Sequence, residues 1–274
     1  MEWDASDALQ INVKAESAQF DSYGYAMEAL APQDGYSLVF AGPIAVETDE
    51  DWVRASGDVE SINDMTNFVI TANYDMNGYT LTSVTGYVEY ETDEILDVDY
   101  VGLEILDRTN QTEDYSQWSQ ELRIASPGDE KINYIAGVFF QSGDVDVTDE
   151  VYLGKFLALG GPVLANLVDS YWDRTFAQSS DLYSVFFQTD FQLTDQLELT
   201  VGARYSNEDK DGYRKVTIEA LPSNNAPAPL LAALWANVLN TGAHEVSGSR
   251  SESSFDPMVR LSYDFNDNIT GHVS

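Results

Sequence analysis

Cysteine is missing from the 274 residues, histidine occurs twice, and the 13 Lys and Arg are far outnumbered by 47 Asp and Glu. Without a thiol there is no disulfide framework and no Cys-based zinc or iron–sulfur centre. Such a residue list fits an oxidising compartment without requiring one. The formal charge of −34 would repel a phosphate backbone, whose binding depends on clustered cations and released counterions, so nucleic acid is excluded as a partner. No apolar run approaches the roughly 18 residues of a membrane-spanning helix. The nearest, Phe156 to Val168, is broken by Gly160-Gly161-Pro162. Met1 to Gln10 carries Glu2, Asp4 and Asp7 and has neither the basic region nor the apolar core of an export signal. A membrane β-barrel stays open, because its strands alternate and give weak hydropathy. With 43% hydrophobic residues the chain has enough apolar surface to fold, as one large all-β domain or two ordinary ones.

What is present is alternation. Tyr183, Val185, Phe187, Phe191 and Leu193 share one face of a predicted strand, with Ser184, Gln188, Asp190 and Gln192 on the other. Leu197, Leu199, Val201, Ala203 and Tyr205 repeat the pattern after the turn Thr194-Asp195-Gln196. If Leu193 faces Leu197, Phe191 lies beside Leu199, Phe187 beside Ala203 and Val185 beside Tyr205. Asn77-Gly78 divides the strands Asn67–Asp75 and Tyr79–Glu91, as a two-residue hairpin turn should. Ser126-Pro127-Gly128-Asp129 separates a strand with Trp118, Gln120, Leu122 and Ile124 on one face from Lys131–Gln141. Pro257 to Phe265 alternates into Asn266-Asp267-Asn268, and Ile269 to Val273 begins a last strand. With Gln10–Glu16 near the start, about nine strands are predicted, each close to the roughly 9–11 residues that cross a bilayer obliquely.

The connections alternate too. Short turns lie at one end, and long acidic loops, roughly Asp21–Met65, Thr92–Asp114, Gly143–Ser180 and Glu208–Ser253, lie at the other. Strand patterning alone equally suits a soluble β-sandwich. The one-sided loops favour a partial membrane barrel, all-β, antiparallel and up-and-down. So do Arg123, Arg204, Arg260 and Asp190, which fall on polar strand faces near their middles.

Three segments resemble a family. Trp118-Ser-Gln-Glu-Leu-Arg-Ile-Ala-Ser-Pro-Gly-Asp129 with Asn133-Tyr-Ile-Ala-Gly-Val-Phe-Phe140, the hairpin Ser184 to Tyr205, and Phe255-Asp-Pro-Met-Val-Arg-Leu-Ser-Tyr-Asp-Phe265 are similar to recurring hairpins in the barrels of TonB-dependent outer-membrane receptors. The motifs cover about a quarter of the chain, and their order supports the resemblance from about Asn67 onward. The resemblance implies a barrel of about 22 strands plugged by an N-terminal domain, importing scarce ligands such as siderophores, cobalamin or oligosaccharides. It also implies energy supplied through the TonB system. Residues 1–274 are then an internal part of the barrel domain, with the plug domain absent. The sequence shows no TonB-contacting box and no complete final strand ending in an aromatic residue. About nine strands cannot close such a barrel, and open edges leave backbone groups unpaired in lipid.

Catalytic constellations are poor, and the expectation is no enzyme, no cofactor and no metal centre. His244-Glu245 lacks the second histidine of a zinc-protease helix, and no phosphate loop or nucleophile elbow occurs. Asp97-Val-Asp99-Tyr-Val-Gly102 starts like a calcium loop but has Val101 at the fifth position and Arg108 at the twelfth. Asp144-Val-Asp146-Val-Thr-Asp149 lacks the glycine and distant glutamate.

Four residues stand out as ligand-binding candidates: Arg123, Arg204, Arg260 and Trp235. The arginines either pair with Glu121, Asp190, Asp264 or plug carboxylates to organise the lumen, or contact an anionic ligand or the moving plug. Trp235 belongs to an apolar island, Leu230 to Leu239, at helical spacing. That island, like Phe156 to Val168, either packs inside its own loop or forms an external ligand-gathering surface. Tyr74, Tyr79, Phe191, Phe265, Tyr183 and Tyr205 are placed toward strand ends as an aromatic girdle. The expected function is part of an outer-membrane uptake receptor, partnered by lipid, plug, TonB system and a small-molecule ligand. The competing expectation is a secreted, soluble acidic β-rich binding module or adhesin.

Overall fold

A computed structural model describes residues 1–23, 59–98, 104–128, 130–266 and 269–274. Ten strands follow one another: β1 (Glu2–Ser6), β2 (Leu9–Tyr23), β3 (Glu60–Met76), β4 (Tyr79–Leu96), β5 (Leu106–Ala125), β6 (Ile132–Leu153), β7 (Ser170–Thr194), β8 (Leu197–Ala220), β9 (His244–Asn266) and β10 (Ile269–Val273). Each pairs antiparallel with its neighbours in sequence, so β1 and β10 are the edges of one ten-stranded meander. The predicted up-and-down order is observed, and no second sheet among the described residues packs on this one as a sandwich requires.

The count is one higher than the spacing predicts. The acidic start looks unlike a strand, yet Trp3 pairs with Ile11 and Glu2 with Asn12 around a two-residue turn. Gln10 Nε2 donates to Glu2 at 2.9 Å and to Asp4 at 3.3 Å, giving both carboxylates a partner.

Strand length departs further from expectation. β7 has 25 residues and β8 has 24, against roughly 9–11 for a bilayer crossing. At about 3.3 Å per residue β7 extends about 80 Å. Three of the predicted long loops contract to 97–105, 154–169 and 221–243 because their flanks are laddered strand. Sequence alternation loses these flanks because the apolar side chains there, such as Val145, Val147, Trp172 and Phe176, stand on the same face as Asp149 and Arg174. Cross-strand pairs hold them instead, such as Asn63 Nδ2 to Thr92 Oγ1 at 2.5 Å and Thr112 Oγ1 to Thr148 Oγ1 at 2.5 Å. Most of the first long loop, the Asp99–Gly102 part of the rejected calcium loop, the Asp129 turn position and Asp267-Asn268 lie outside the described residues.

The hairpin register is as predicted over its length: Phe191 pairs with Leu199, Phe187 with Ala203 and Val185 with Tyr205. Only its closing step differs. Thr194, not Leu193, meets Leu197, with the register shifting between Gln192 and Thr194. At the β3–β4 turn Asn77 and Gly78 have φ of 55° and 90°, the left-handed pair that an Asn-Gly hairpin turn demands.

Alternation sorts the sheet into an apolar and a polar face. The apolar face is uncovered: Val138, Val185, Phe187 and Val259 are 51%, 52%, 49% and 58% exposed. Tyr74, Tyr79, Phe191 and Phe265 border it near the short turns. Phe68, Tyr87, Trp118, Phe140, Tyr183, Tyr205 and Phe255 form a second aromatic row, with ring centroids 5.7 Å apart for Phe68–Tyr87, 5.4 Å for Trp118–Phe140 and 4.8 Å for Phe140–Tyr183. Tyr183 and Tyr205 are therefore mid-strand rather than near strand ends, because β7 and β8 continue well past them. Eight residues separate the two rows on β4 and on β7. That is about 26 Å along the strand, or about 20 Å for a strand tilted by roughly 40°.

The densest core lies at the long-loop end. Leu153, Leu167, Leu231 and Trp235 are buried together, with Leu106, Leu157, Leu164, Trp172, Ile218, Leu234 and Leu239 packed around them. A 3-10 turn (Lys155–Gly160), α1 (Pro162–Ala165) and α2 (Ala228–Val238) supply its outer half.

Candidate functional site

The polar face carries the functional candidates. One register row runs Thr82, Arg123, Gly137, Phe186, Arg204 and Asp256 across β4 to β9. Gly137 is required here: a Cβ would lie 2.7 Å from Leu122 O and 2.5 Å from the tip of Phe186, whose ring covers the glycine. Arg204 sits over two rings, 5.7 Å from the centroid of Phe139 and 6.0 Å from that of Phe186. Its Nη2 donates to Ser184 Oγ at 2.9 Å and its Nε to Ser206 Oγ at 3.2 Å. No carboxylate among the described residues pairs with it.

The other two arginines are compensated. Arg123 Nη1 meets Glu121 Oε1 at 2.9 Å. Arg260 reaches Glu198 at 3.7 Å and Thr200 Oγ1 at 3.3 Å, and Thr200 in turn donates to Asp190 at 2.6 Å. Asp190 thus acts through Thr200 rather than by direct pairing, and Asp264 accepts from Thr270 at 2.5 Å instead. Arg260 Nε is buried and without a hydrogen bond among the described residues.

Trp235 is placed differently from the exposed surface considered for it. It is 1% exposed, donates Nε1–H to Ser170 Oγ at 2.9 Å, and packs against Trp172 with centroids 6.1 Å apart. Ser170 passes the chain on by donating to Leu167 O at 2.6 Å. The island does not pack inside its own loop alone, since both islands join in a single core. A ligand reaching this end would meet the exposed Leu159, Val163, Leu230 or Val238, not the indole.

Sequence reasoning missed the support beneath that core. Asp149, buried on β6, accepts from Trp172 Nε1 at 3.0 Å and forms an ion pair with Arg174. Both partners lie inside a segment that reads as loop.

The polar face above the second aromatic row carries further aromatic and ionic groups. Tyr90 and Tyr115 stack at 5.0 Å, and the hydrogen bond from Tyr90 to Glu113, 2.5 Å long, pushes the Tyr90 phenol up to about 12. Lys210 holds Glu208 at 2.9 Å, and its hydrogen bond lowers the Glu208 carboxyl below the usual range. Cations are unevenly divided between the two faces. Lys14, Arg123, Arg174, Arg204, Lys210, Arg214, Arg250 and Arg260 share the polar face by register, whereas the other face carries rows of carboxylates. In one row Asp64, Glu91, Asp114 and Asp146 stand opposite one another on four successive strands. Among the described residues no group of three or more His, Asp or Glu is arranged to hold a metal ion.

This geometry is a strip of barrel wall, with an apolar band between aromatic rows on one side and a polar wall on the other. Residues 6–274 match the family described as TonB dependent receptor-like, beta-barrel. The chain belongs to the TonB-dependent receptor β-barrel family. Solved structures agree at the level of fold. The ferric yersiniabactin uptake receptor FyuA from Yersinia pestis is similar with a TM-score of 0.66 at 10% identity, over 97% of this chain and 34% of that one. The siderophore receptor PiuA from Acinetobacter baumannii is similar with a TM-score of 0.58 at 12% identity, over 97% and 39%. The chain thus spans about a third of the length of these TonB-dependent receptors. No curated protein matches the sequence. The family is one of transport receptors, not of enzymes.

Proposed function

We propose that residues 1–274 form part of the barrel wall of an outer-membrane receptor that imports a scarce ligand of the siderophore, cobalamin or oligosaccharide class. A plug domain, the remaining strands and the TonB system, supplied by the rest of the receptor and the cell, complete the machine. The observation that carries this reading is the exposed apolar band, about 20 Å tall between two aromatic rows, backed by a face of arginines, carboxylates and amides. In a barrel the apolar band turns to lipid, because unsatisfied polar groups are costly there, and the polar wall turns to the lumen. The short turns then face the periplasm, and the acidic strand extensions with the Trp235 core face outward.

Within this reading Arg204 is the membrane-level residue poised for an anionic partner on the ligand or plug, since only serines and aromatic faces hold it. Arg123 and Arg260 organise the wall and contact that partner secondarily. The test is uptake. Deleting the gene of the full receptor should abolish energy-dependent accumulation of one of labelled iron–siderophore, cobalamin or oligosaccharide, with loss of TonB giving the same result. Unchanged accumulation of all three would sink the proposal.

A further inference from the structure

We infer that Arg214, beside the paired glycines Gly212 and Gly248, is a docking point for a carboxylate- or phosphate-bearing solute arriving from the long-loop side. This rests on the uptake reading and adds a ligand chemistry to it.

On the polar face of β8 and β9, Lys210 stands opposite Arg250, then Gly212 opposite Gly248, then Arg214 opposite Val246. The glycine pair leaves a bare backbone floor. A Cβ at Gly248 would meet nothing within 4 Å, and one at Gly212 only the carbonyl oxygen of Gly248 at 3.9 Å. Cations flank the floor on both sides but are not equivalent. Lys210 is bound to Glu208 at 2.9 Å and Arg250 to Glu252, so both are drawn toward the row below. Arg214 has Phe176 and Val246 as its row neighbours. It is exposed, and it makes no hydrogen bond or ion pair among the described residues.

The other arginines whose side chains are described, including Arg174 and Arg204, each hold a polar partner. Arg214 therefore keeps all five N–H donors, in a planar fork that fits carboxylate or phosphate in two-point contact. Its position excludes the lipid and the membrane-level lumen. It lies nine residues beyond Tyr205 of the second aromatic row, about 30 Å along the strand. The chain's field repels small anions in general. An anion crossing this face needs a local cation whose charge is not already matched, and Arg214 supplies it over a floor open enough for a flat group.

The test uses the full receptor in detergent, titrated calorimetrically at low ionic strength with benzene-1,3,5-tricarboxylate, a flat trianion. Arg214→Gln should weaken binding about tenfold, and Arg214→Lys should restore part of it, since charge survives without the fork. Gly248→Val should weaken binding comparably while leaving every charge in place, because it fills the floor. The space above Gly248 lets that variant fold, which heat-modifiable electrophoretic mobility verifies. No binding by the wild-type receptor, or equal binding by wild type, Arg214→Gln and Gly248→Val, would overturn the inference. Failure of the uptake reading is distinguishable: deletion of the receptor would leave accumulation unchanged, while the loss of tricarboxylate binding in Arg214→Gln persisted.

Discussion

Trp235 and Ser170, 65 residues apart in sequence, are joined by a 2.9 Å hydrogen bond inside the core that ties two loops to the polar face of the sheet. Removing the indole leaves a cavity and takes away the donor to Ser170 Oγ, which keeps its own bond to Leu167 O. Trp235→Ala should cost the cap about 3–5 kcal/mol, by analogy with other buried aromatic truncations. Trp235→Phe should cost less, about 1–2 kcal/mol, by losing mainly the hydrogen bond. Hydrogen exchange read over 154–169 and 221–243 checks both, with β7 and β8 near Phe187 and Ala203 unaffected.

Asp149 anchors the same region from below through Trp172 and Arg174. Asp149→Ala strands a guanidinium and an indole N–H. With Arg174 about a third exposed, the expected loss is about 2–3 kcal/mol, below the full value for a buried pair. Limited proteolysis at 154–169 should accelerate, and restoring Asp149 alone should reverse it.

Asp173 gives a pH test. Burial, then the nearby Glu150 and Glu219 carboxylates, raise its carboxyl above the ordinary aspartate value. A raised folded-state value means the folded protein binds this proton more tightly than the unfolded chain. The contribution is favourable below the unfolded value and is lost as pH rises through the folded one. Asp173→Asn should therefore raise the thermal midpoint at pH 7 and leave it nearly unchanged or lower near pH 3. A larger gain at pH 3 than at pH 7 would contradict this.

The carboxylate row Asp64, Glu91, Asp114 and Asp146 opposes like charges directly across four strands. Such pairs are each unfavourable by a few tenths of a kcal/mol and are screened by salt. Raising ionic strength from about 20 to 150 mM should slow exchange of amides in β3 to β6 around these residues. Glu91→Gln should make the amides less salt-sensitive.

How legible this was depends on what holds each part. The 183–205 hairpin is readable because period-two alternation and a tight turn lie within a single stretch, and Phe187 and Ala203 meet where expected. The flanks of the same strands are unreadable by hydropathy. Around Arg174 and Arg214 the apolar side chains, such as Trp172, Phe176 and Val216, share the face that carries the arginines, and strand structure comes from the register set lower down. Trp235 shows a different limit. Its helical spacing is visible, but the partner that buries it lies in another loop, so only the fold reveals that the indole is interior. Arg204 is found by alternation alone, whereas its partners Ser184, Phe186 and Phe139 come from β7 and β6.

The central claim is that one face of this sheet meets lipid and the other lines a lumen. Spin labels placed singly at each position from 183 to 193 in the full receptor, in outer-membrane vesicles, test it most directly. The account predicts that accessibility to oxygen peaks at 185, 187, 189 and 191 and falls at 184, 186, 188 and 190. A water-soluble nickel chelate should not show that pattern at the odd positions. Equal accessibility along the segment, or nickel access to Val185 and Phe187, would contradict it.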